Sequence, residues 1–583
     1  MSTTTQKGHP KGLYLLFFTE MWERFSYYGM RALFVLFMAK ALLFDKELSS
    51  QIYGSYTGLV YLTPLLGGYI ADRYWGNQRS VIVGGLLMAI GQFFMFLSGM
   101  FYKDSPDFAP TLMFVGLGFL IFGNGFFKPN ISTMVGQLYP KNDARIDGAF
   151  TIFYMGINLG AFIAPLLCGY LGDTGNPEDF KWGFLCACLG MFLSVFIFIF
   201  FKNKYLVTPE GELIGAKPNK EEEPEQHVVQ YTANSVQSKK LMFVWGAIWL
   251  VLLGVFSLLL KDDKGNIDII GAFIFSLTLA APGYIISDPL LTKIEKQRIW
   301  VIYIVAFFVI FFWSAFEQAG ASLTYFAEEQ TDRRFLDTVI PASYFQSINA
   351  VAIVIFAPIF AMIWSALSKK KMEPASPYKQ ALGLFLLAIG YLVIAFGVKG
   401  LEPGVKVSMM WLVSLYTIHT FGELCLSPIG LSMVNKLAPV KFASLLMGVW
   451  FLSTATANKF AGTLSSFYPE SYVSVEKIKE LESTNGVQLT AKDFDIQKGA
   501  ESINGVSSIP FDKVIFDIEN KEQKEAVKLS VEKLQVIKSK SFLGFEIANL
   551  YDFFMLFVFM AGVSSIILFF LSKKLVSMMN GVK

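Results

Sequence analysis

Long apolar runs alternate with short charged or Gly/Pro-rich breaks along the chain. Fourteen runs span residues 13–44, 50–72, 79–101, 110–138, 146–171, 181–201, 241–260, 267–287, 299–327, 341–367, 380–399, 407–436, 442–466 and 549–572. A helix of about 20 mostly apolar residues crosses the hydrocarbon core of a bilayer, and it satisfies its own backbone groups there, whereas an isolated strand does not. The pattern predicts an all-α membrane protein with 14 transmembrane helices.

Composition supports this fold class. Of 583 residues, 54% are hydrophobic and 16% are charged, whereas soluble proteins carry about 25% charged residues. The 49 basic and 46 acidic side chains nearly balance, which gives no indication of a nucleic-acid partner. The four cysteines lie in apolar runs without metal-site spacing, and the chain has no HExxH, GxSxG or nucleotide-binding loop. We expect no cofactor, no metal site and no enzymatic activity.

The breaks between runs differ in their positive charge. If the N-terminus is cytoplasmic, 24 lysines and arginines fall in the inner segments and nine in the short outer loops. Because cytoplasmic loops carry the excess of Lys and Arg, we expect both termini to be cytoplasmic.

Two polar segments divide the chain into five parts. The predicted parts are a six-helix bundle at 1–201, a cytoplasmic linker at 202–240, an accessory transmembrane hairpin at 241–287, a second six-helix bundle at 288–466 with 548–583, and an extracytoplasmic insertion at 467–547. Two similar bundles around a central site are typical of transporters. The insertion holds 25 charged residues, and it is interpreted as an added surface segment rather than a catalytic domain.

The first apolar run carries ionisable and phenolic side chains on one helical face. These are Glu20, Glu23, Arg24, Tyr27, Tyr28 and Arg31, which follow helical spacing. Because charges at membrane depth are costly, each indicates a functional site. Glu20 and Glu23 can each pair with Arg24, which would make a proton switch. The alternative is a static ion pair that holds the helix in its bundle, and the extra unpaired cation Arg31 weakens it.

Three more charges lie inside apolar runs. Lys128 lies near the middle of the fourth run, and Glu317 and Glu423 lie in runs of the second predicted bundle. Lys128 has the alternative of reaching the membrane interface. Cations from one bundle facing carboxylates from the other suit a zwitterionic ligand.

Amides and aromatic side chains complete this candidate cavity. They are Asn158, Asn349, Tyr61, Tyr154, Trp313 and Trp450. For the amides the alternative is hydrogen bonding between helices, and for each aromatic it is packing or anchoring at the membrane interface.

Four motifs resemble the proton-dependent oligopeptide transporter family of the major facilitator superfamily. The motifs are Glu20-x-x-Glu23-Arg24-Phe25 with Tyr27-Tyr28-Gly29, the loop from Gly68 to Arg79, Phe153-Tyr154 through Asn158 to Ala161, and Gly422-Glu423 through Ser427-Pro428 to Gly430. The resemblance covers nearly the whole chain except 467–547. The extra hairpin is similar to the bacterial branch, which implies a bacterial cytoplasmic (inner) membrane.

The resemblance implies the major facilitator fold and import of di- and tripeptides, driven by protons through alternating access. Membrane lipid surrounds the chain, and a monomer is the expected functional unit. Arg24, Arg31 and Lys128 would hold the peptide carboxylate. Asn158, Asn349 and Glu423 would hold its amino terminus and backbone. The pockets for the peptide side chains would be shaped by Tyr27, Tyr28, Tyr61, Tyr154, Trp313, Ser427 and Trp450. Glu317 would be the main proton site and pair with Arg31, while Glu20 and Glu23 couple protonation to Arg24.

One departure from the family limits this transfer, and two alternatives remain. Animal members carry a histidine on the second membrane helix, and this chain has none there, so a proton scheme that needs this imidazole does not apply. One alternative is a relative that carries another small zwitterion or anion, although Glu423 favours a substrate with an ammonium group. The other is a peptide receptor that does not translocate its ligand.

Overall fold

The computed structural model describes residues 8–140, 143, 145–208, 211–217, 235–261, 265–402, 404–439, 442–489, 500–503, 505–514, 516, 518 and 520–582. Helices dominate this part of the chain, as predicted. They are α1 (Lys11–Lys40), α2 (Lys46–Leu62), α3 (Pro64–Ile70), α4 (Asn77–Phe101), α5 (Ala109–Gln137), α6 (Ile146–Gly172), α7 (Phe180–Tyr205), α8 (Ser235–Leu259), α9 (Ile269–Ile286), α10 (Lys293–Phe316), α11 (Ser322–Glu329), α12 (Ser347–Lys369), α13 (Ser376–Gly397), α14 (Met409–Leu437), α15 (Ala443–Ser465), α16 (Val475–Asn485), α17 (Lys521–Glu532) and α18 (Leu550–Met578).

Each of the fourteen apolar runs coincides with helix in the described residues. Ten helical segments there are long and apolar enough to cross a membrane. Four predicted spans are not among the ten. They are the helices at Lys11–Lys40, Met409–Leu437 and Ala443–Ser465 and the broken segment from Lys46 to Trp75. α1 holds ionisable residues along its buried face, which lowers its hydropathy. The same side chains that point to function therefore weaken the hydrophobic signal.

Two of the predicted helices are interrupted. The second run bends at Thr63, because Pro64 begins α3, and it ends in a π-helical turn at Ala71–Trp75. The ninth run ends its regular helix at Phe316 and passes through a 3-10 turn at Glu317–Gly320 into α11. An interrupted helix frees backbone groups at membrane depth, which is tolerated where protein surrounds them. This break places Glu317 at the end of α10.

The helices α1 to α7 are called the first bundle below, and α10 to α15 with α18 are called the second bundle. α1 packs on α6 and α7, and α4 packs on α5 and α7, while α13 packs on α14 and α18 in the second group. α8 and α9 pack on each other, and α9 also contacts α2 and α15. In the predicted linker at 202–240, α7 continues to Tyr205, a bridge joins Val207 to Leu213, and α8 begins at Ser235. Residues 209, 210 and 218–234 lie outside the described residues.

The insertion at 467–547 forms a small α+β unit, part of which lies outside the described residues. Its four-stranded sheet has the order β6 (Glu501–Ile503), β7 (Val506–Pro510), β5 (Ser471–Ser474) and β8 (Val536–Ile537), with antiparallel pairing throughout. Val473, Ile478, Ile509 and Val531 are buried in its own small core. The sequence predicts short surface helices at 473–481 and 522–536, and α16 and α17 lie at these stretches. It does not predict the sheet.

The remaining strands are short. They are β1 (Thr331–Asp332), paired in parallel with β4 (Val407–Ser408), the hairpin of β2 (Arg334–Phe335) and β3 (Thr338–Val339), and the hairpin of β9 (Lys540–Phe542) and β10 (Phe545–Ile547). β1 directly follows α11, where the end of α1 and the start of α18 also meet: Lys40 pairs with Glu328, and Phe326 packs on Phe554. We call this end of the molecule the closed end. The start of α1 and the end of α18 therefore lie at the opposite end.

Candidate functional site

The charged face of α1 forms a buried ion cluster. Arg24 Nε lies 3.1 Å from Glu20 Oε1 and 2.5 Å from Glu23 Oε2. All three side chains are buried. Asn124 of α5 donates a hydrogen bond of 3.3 Å to Glu23 Oε1. The predicted pairing of both carboxylates with one guanidinium is present, and it lies among helices of the first bundle rather than against lipid.

An ion pair joins the two bundles at the helix break. Arg31 Nη2 lies 2.5 Å from Glu317 Oε2, and Arg31 Nε donates to Tyr53 Oη at 2.8 Å. The pattern of α1 alone predicts that Arg31 is an extra unpaired cation. That prediction is wrong, because both partners come from other helices. The pairing of Arg31 with Glu317 that the resemblance implied is present.

Glu423 of α14 is held by an amide from α12. Asn349 Nδ2 donates to Glu423 Oε2 at 2.9 Å and to Thr420 Oγ1 at 3.0 Å. Glu423 is buried and Asn349 is half-buried. The amide nitrogen is used within the protein, so the carbonyl oxygen of Asn349 is the group that remains to accept a hydrogen bond from a ligand.

Lys128 of α5 lies against an aromatic ring instead of a carboxylate. Its Nζ lies 4.2 Å from the centroid of the Tyr61 ring, within the range of a cation–π contact. Within the described residues Lys128 forms no ion pair, and it is half-buried. Glu20, Glu23 and Glu317 act on its charge only from beyond ion-pair distance, so this ammonium is suited to a ligand carboxylate.

Tyrosines connect the charges of the two bundles. The guanidinium carbon of Arg24 lies 5.4 Å from the Tyr27 ring centroid, and that of Arg31 lies 5.7 Å from the Tyr28 ring centroid. The Tyr28 phenol is within electrostatic range of both Glu317 and Glu423. Tyr154 of α6, 41% exposed, is also within electrostatic range of Glu423. Cations of the first bundle and carboxylates of the second thus meet around these phenols.

The other predicted site residues have more ordinary surroundings. Asn158 donates to the Tyr154 carbonyl of its own helix at 2.9 Å. Trp313 packs edge-on against Phe316 with a centroid distance of 5.2 Å, and Trp450 is buried against Gly430. The side chain of Ser427 lies outside the described residues. Among the described residues, no hydrogen bond or ion pair links Asn158, Trp313 or Trp450 to the ion cluster.

Three residues of the site escaped sequence reasoning. Tyr53, Asn124 and Thr420 each hydrogen-bond one of the predicted residues. Neutral polar residues are common in membrane helices, so their type alone gave no signal. Within the described residues, no group of three His, Cys, Asp or Glu side chains is arranged to hold a metal ion.

The bundles contact each other at the closed end. Lys46 lies 2.6 Å from Glu329, and the Asp173 carboxylate accepts from the Ser343 backbone N–H at 3.0 Å. α2 and α15 meet through glycines: a Cβ added to Gly54 would lie 2.7 Å from Gly462 Cα. Small residues let membrane helices approach this closely.

A cavity of about 1390 Å³ lies at the closed end, where Lys46 and Glu329 are among the residues that line it. Its lining includes Lys40, Glu328, Arg333, Lys513 and Lys540, and none of the predicted site residues lines it. Toward the opposite end, Phe150 and Tyr154 of α6 and Ile359 and Ile363 of α12 are exposed. The site is thus separated from the closed end by the contacts between the bundles.

Comparison with known proteins identifies relatives over most of the chain. The model of the POT family matches residues 78–220 and 282–481. A peptide transporter, YePEPT, of Yersinia enterocolitica is 38% identical over 78% of this chain and 88% of its own length. A di-/tripeptide transporter of Lactococcus lactis is 32% identical over 79% and 90%, respectively. A crystal structure of a mutant of peptide transporter POT with alafosfalin superposes with a TM-score of 0.71 and is 29% identical; the alignment covers 99% of this chain and 97% of that chain. A crystal structure of a POT family transporter with 5-aminolevulinic acid superposes with a TM-score of 0.68 and is 28% identical; the alignment covers 99% of both chains.

Proposed function

The chain belongs to the POT family, and we propose that it is a proton-coupled symporter that imports di- and tripeptides by alternating access. The observation that carries the proposal is the Arg31–Glu317 ion pair of 2.5 Å, which joins the bundles beside a ring of opposed charges. A carboxylate that must release an arginine before the bundles separate responds to both a proton and a competing peptide carboxylate. The peptide names of the relatives support the substrate class.

We propose the following arrangement in the membrane. Fourteen spans form two six-helix bundles and an accessory hairpin in a bacterial inner membrane, with both termini cytoplasmic and a functional monomer. The closed end is then extracytoplasmic, and this structure is an inward-facing state. The excess of Lys and Arg in the predicted inner segments supports this orientation.

A peptide would bind between the cations and carboxylates described above. Lys128, with Arg24 and Arg31, holds its carboxylate, and Glu423 holds its ammonium group. The carbonyl oxygen of Asn349, with Asn158, accepts from backbone N–H groups. The phenols of Tyr27, Tyr28, Tyr61 and Tyr154, with Trp313, Ser427 and Trp450, surround the side chains. The absence of an ion partner for Lys128 among the described residues supports its assignment.

Protons would act at two places, Glu317 and the pair of Glu20 and Glu23. Protonation of Glu317 releases Arg31, which then binds the peptide carboxylate and lets the bundles separate at the closed end. Protonation of Glu20 or Glu23 weakens the hold on Arg24 in the same way. The two short distances around Arg24 support this coupling, because neutralising one carboxylate changes the balance at a buried guanidinium.

Purified protein in proteoliposomes tests the proposal. An inwardly directed proton gradient should drive accumulation of radiolabelled dialanine, and peptide on the inside should stimulate counterflow without a gradient. Di- and tripeptides should compete, whereas free amino acids should not. Absence of both uptake and counterflow under every imposed gradient would contradict the proposal.

A second candidate function is carriage of another small zwitterion. A solved relative holds 5-aminolevulinic acid, which is not a peptide. In the same liposomes, uptake of such a compound with no competition from dialanine would favour this candidate. Binding of dialanine without counterflow would instead indicate a receptor.

Locking the closed end should stop transport. Ser50 of α2 and Ser465 of α15 lie in different bundles, and their hydroxyl oxygens are 2.9 Å apart. In the double variant Ser50→Cys/Ser465→Cys, oxidation should form a disulfide, reduce dialanine uptake to the level of empty liposomes, and be reversed by dithiothreitol. The single variant Ser50→Cys is the control. Full uptake by fully cross-linked protein would contradict the proposed opening at this end.

A further inference from the structure

Lys459 of α15 is a buried cation at a junction of three parts of the molecule. Its side chain has no solvent exposure. Its Nζ lies 2.7 Å from Asp268 Oδ2 and donates to Ser55 Oγ at 2.8 Å and to Gln51 Oε1 at 3.1 Å. α15 belongs to the second bundle, Gln51 and Ser55 belong to α2 of the first, and Asp268 belongs to the accessory hairpin. One ammonium group therefore joins all three.

Asp268 is fixed within the hairpin by its own backbone contacts. It is the N-cap of α9, where its Oδ1 accepts from the Gly271 N–H at 2.9 Å. Its own N–H donates to the Leu260 carbonyl at 3.1 Å across the α8–α9 turn. The oxygen that faces Lys459 is thus held by the hairpin and not by either bundle.

The hairpin is attached more extensively to α15 than to α2. α9 packs along α15, where the hydroxyls of Thr278 and Thr456 are 2.5 Å apart. Its contact with α2 is smaller. When the closed end opens, α2 must leave α15, since these helices carry the glycine contact between the bundles. Lys459 then loses Ser55 and Gln51, while the hairpin can remain on α15.

We infer that Asp268 is a positioning residue for the transport cycle: it neutralises Lys459 while that ammonium is buried between α2 and α15, and so ties the accessory hairpin to the closed arrangement of the bundles. A buried ammonium whose counterion is removed is strongly destabilising. Without Asp268, the closed arrangement would bury Lys459 with only the neutral oxygens of α2 as partners, whereas opening would expose the ammonium to water, so the open arrangement would be favoured. The inference rests on the proposed alternation of the bundles.

Accessibility of the closed end tests this inference without any peptide. In a background in which Cys168, Cys186, Cys188 and Cys425 are replaced by serine, the buried Ser465 is changed to Cys, and its reaction with a membrane-impermeant maleimide is timed. Asp268→Asn should speed labelling by about tenfold or more, because the closed arrangement then buries an ammonium without its counterion. Adding Lys459→Met should restore the parental rate to within about threefold, since no ion then remains.

Two controls separate this role from general damage. Asp288→Asn changes the aspartate that follows the other end of α9 and should leave the labelling rate unchanged. A loss of folding in Asp268→Asn would show in size-exclusion chromatography, and the Lys459→Met rescue would still report on the charge pair. A parental labelling rate in Asp268→Asn, or a double variant as fast as the single one, would overturn the inference. Failure of peptide uptake in liposomes bears on the proposed function instead, because labelling requires no substrate.

Discussion

Replacement of Glu317 by glutamine is expected to abolish proton-driven accumulation of peptide and to preserve counterflow. Glutamine can still accept a hydrogen bond from Arg31, but it is permanently neutral, so it imitates the protonated carboxylate. The bundles can then separate, yet no proton is exchanged when they do. Uptake of dialanine under an imposed pH gradient should fall to the level of empty liposomes, while counterflow should stay within about threefold of the wild-type rate.

A carboxylate pair elsewhere provides the matched control for this variant. Glu373 pairs with Lys379 at 2.5 Å, in the region between α12 and α13 and away from the site. Glu373→Gln should leave both gradient-driven uptake and counterflow unchanged. Normal accumulation by the Glu317→Gln protein would remove Glu317 from the coupling role.

Loss of the Glu423 charge is expected to weaken peptide binding rather than coupling. Glu423 is buried and held by Asn349, so an ammonium group that binds there exchanges water for one fixed carboxylate. Truncating such a buried charge pair costs about 2 to 5 kcal/mol, which is about 30-fold or more in affinity. In Glu423→Gln, competition of radiolabelled dialanine by unlabelled di- and tripeptides should weaken by this factor.

Two further variants make the Glu423 experiment specific. Glu423→Asp retains the negative charge and should recover part of the affinity. Glu402→Gln removes an exposed carboxylate from the loop between α13 and α14 and should have no effect. Unchanged competition in Glu423→Gln would mean that the peptide ammonium binds elsewhere.

The helices could be predicted because a helix that spans the bilayer needs a run of apolar residues long enough to cross it. Runs of apolar residues long enough to cross a membrane became helices close to their predicted limits, such as Ala109–Gln137 for the run at 110–138. The break at Glu317–Gly320 was not predicted, since no proline marks it. The insertion sheet was also missed: its strands are only two to five residues long, and its small core gave little apolar signal.

The charged residues of the site could be predicted from the sequence. Residues whose role depends on contacts between helices could not. Charges at membrane depth are rare enough that Arg24, Lys128 and Glu423 stood out by type alone. The partners of Arg31 could not be found within α1, because Tyr53 and Glu317 belong to other helices. Lys459 lies in an apolar run as well, yet its role depends on α2 and the hairpin, which only the tertiary structure brings together.

The total charge of the proposed site has an electrical consequence. The site has three formal positive charges, on Arg24, Arg31 and Lys128. It has four formal negative charges, on Glu20, Glu23, Glu317 and Glu423, so the empty site carries one net negative charge. One bound proton cancels it, and a zwitterionic peptide adds none. A membrane potential acts on a moving charge with about 2.3 kcal/mol per 100 mV. A negative interior would therefore drive the return of the empty carrier, and the maximal rate at saturating peptide would carry the voltage dependence.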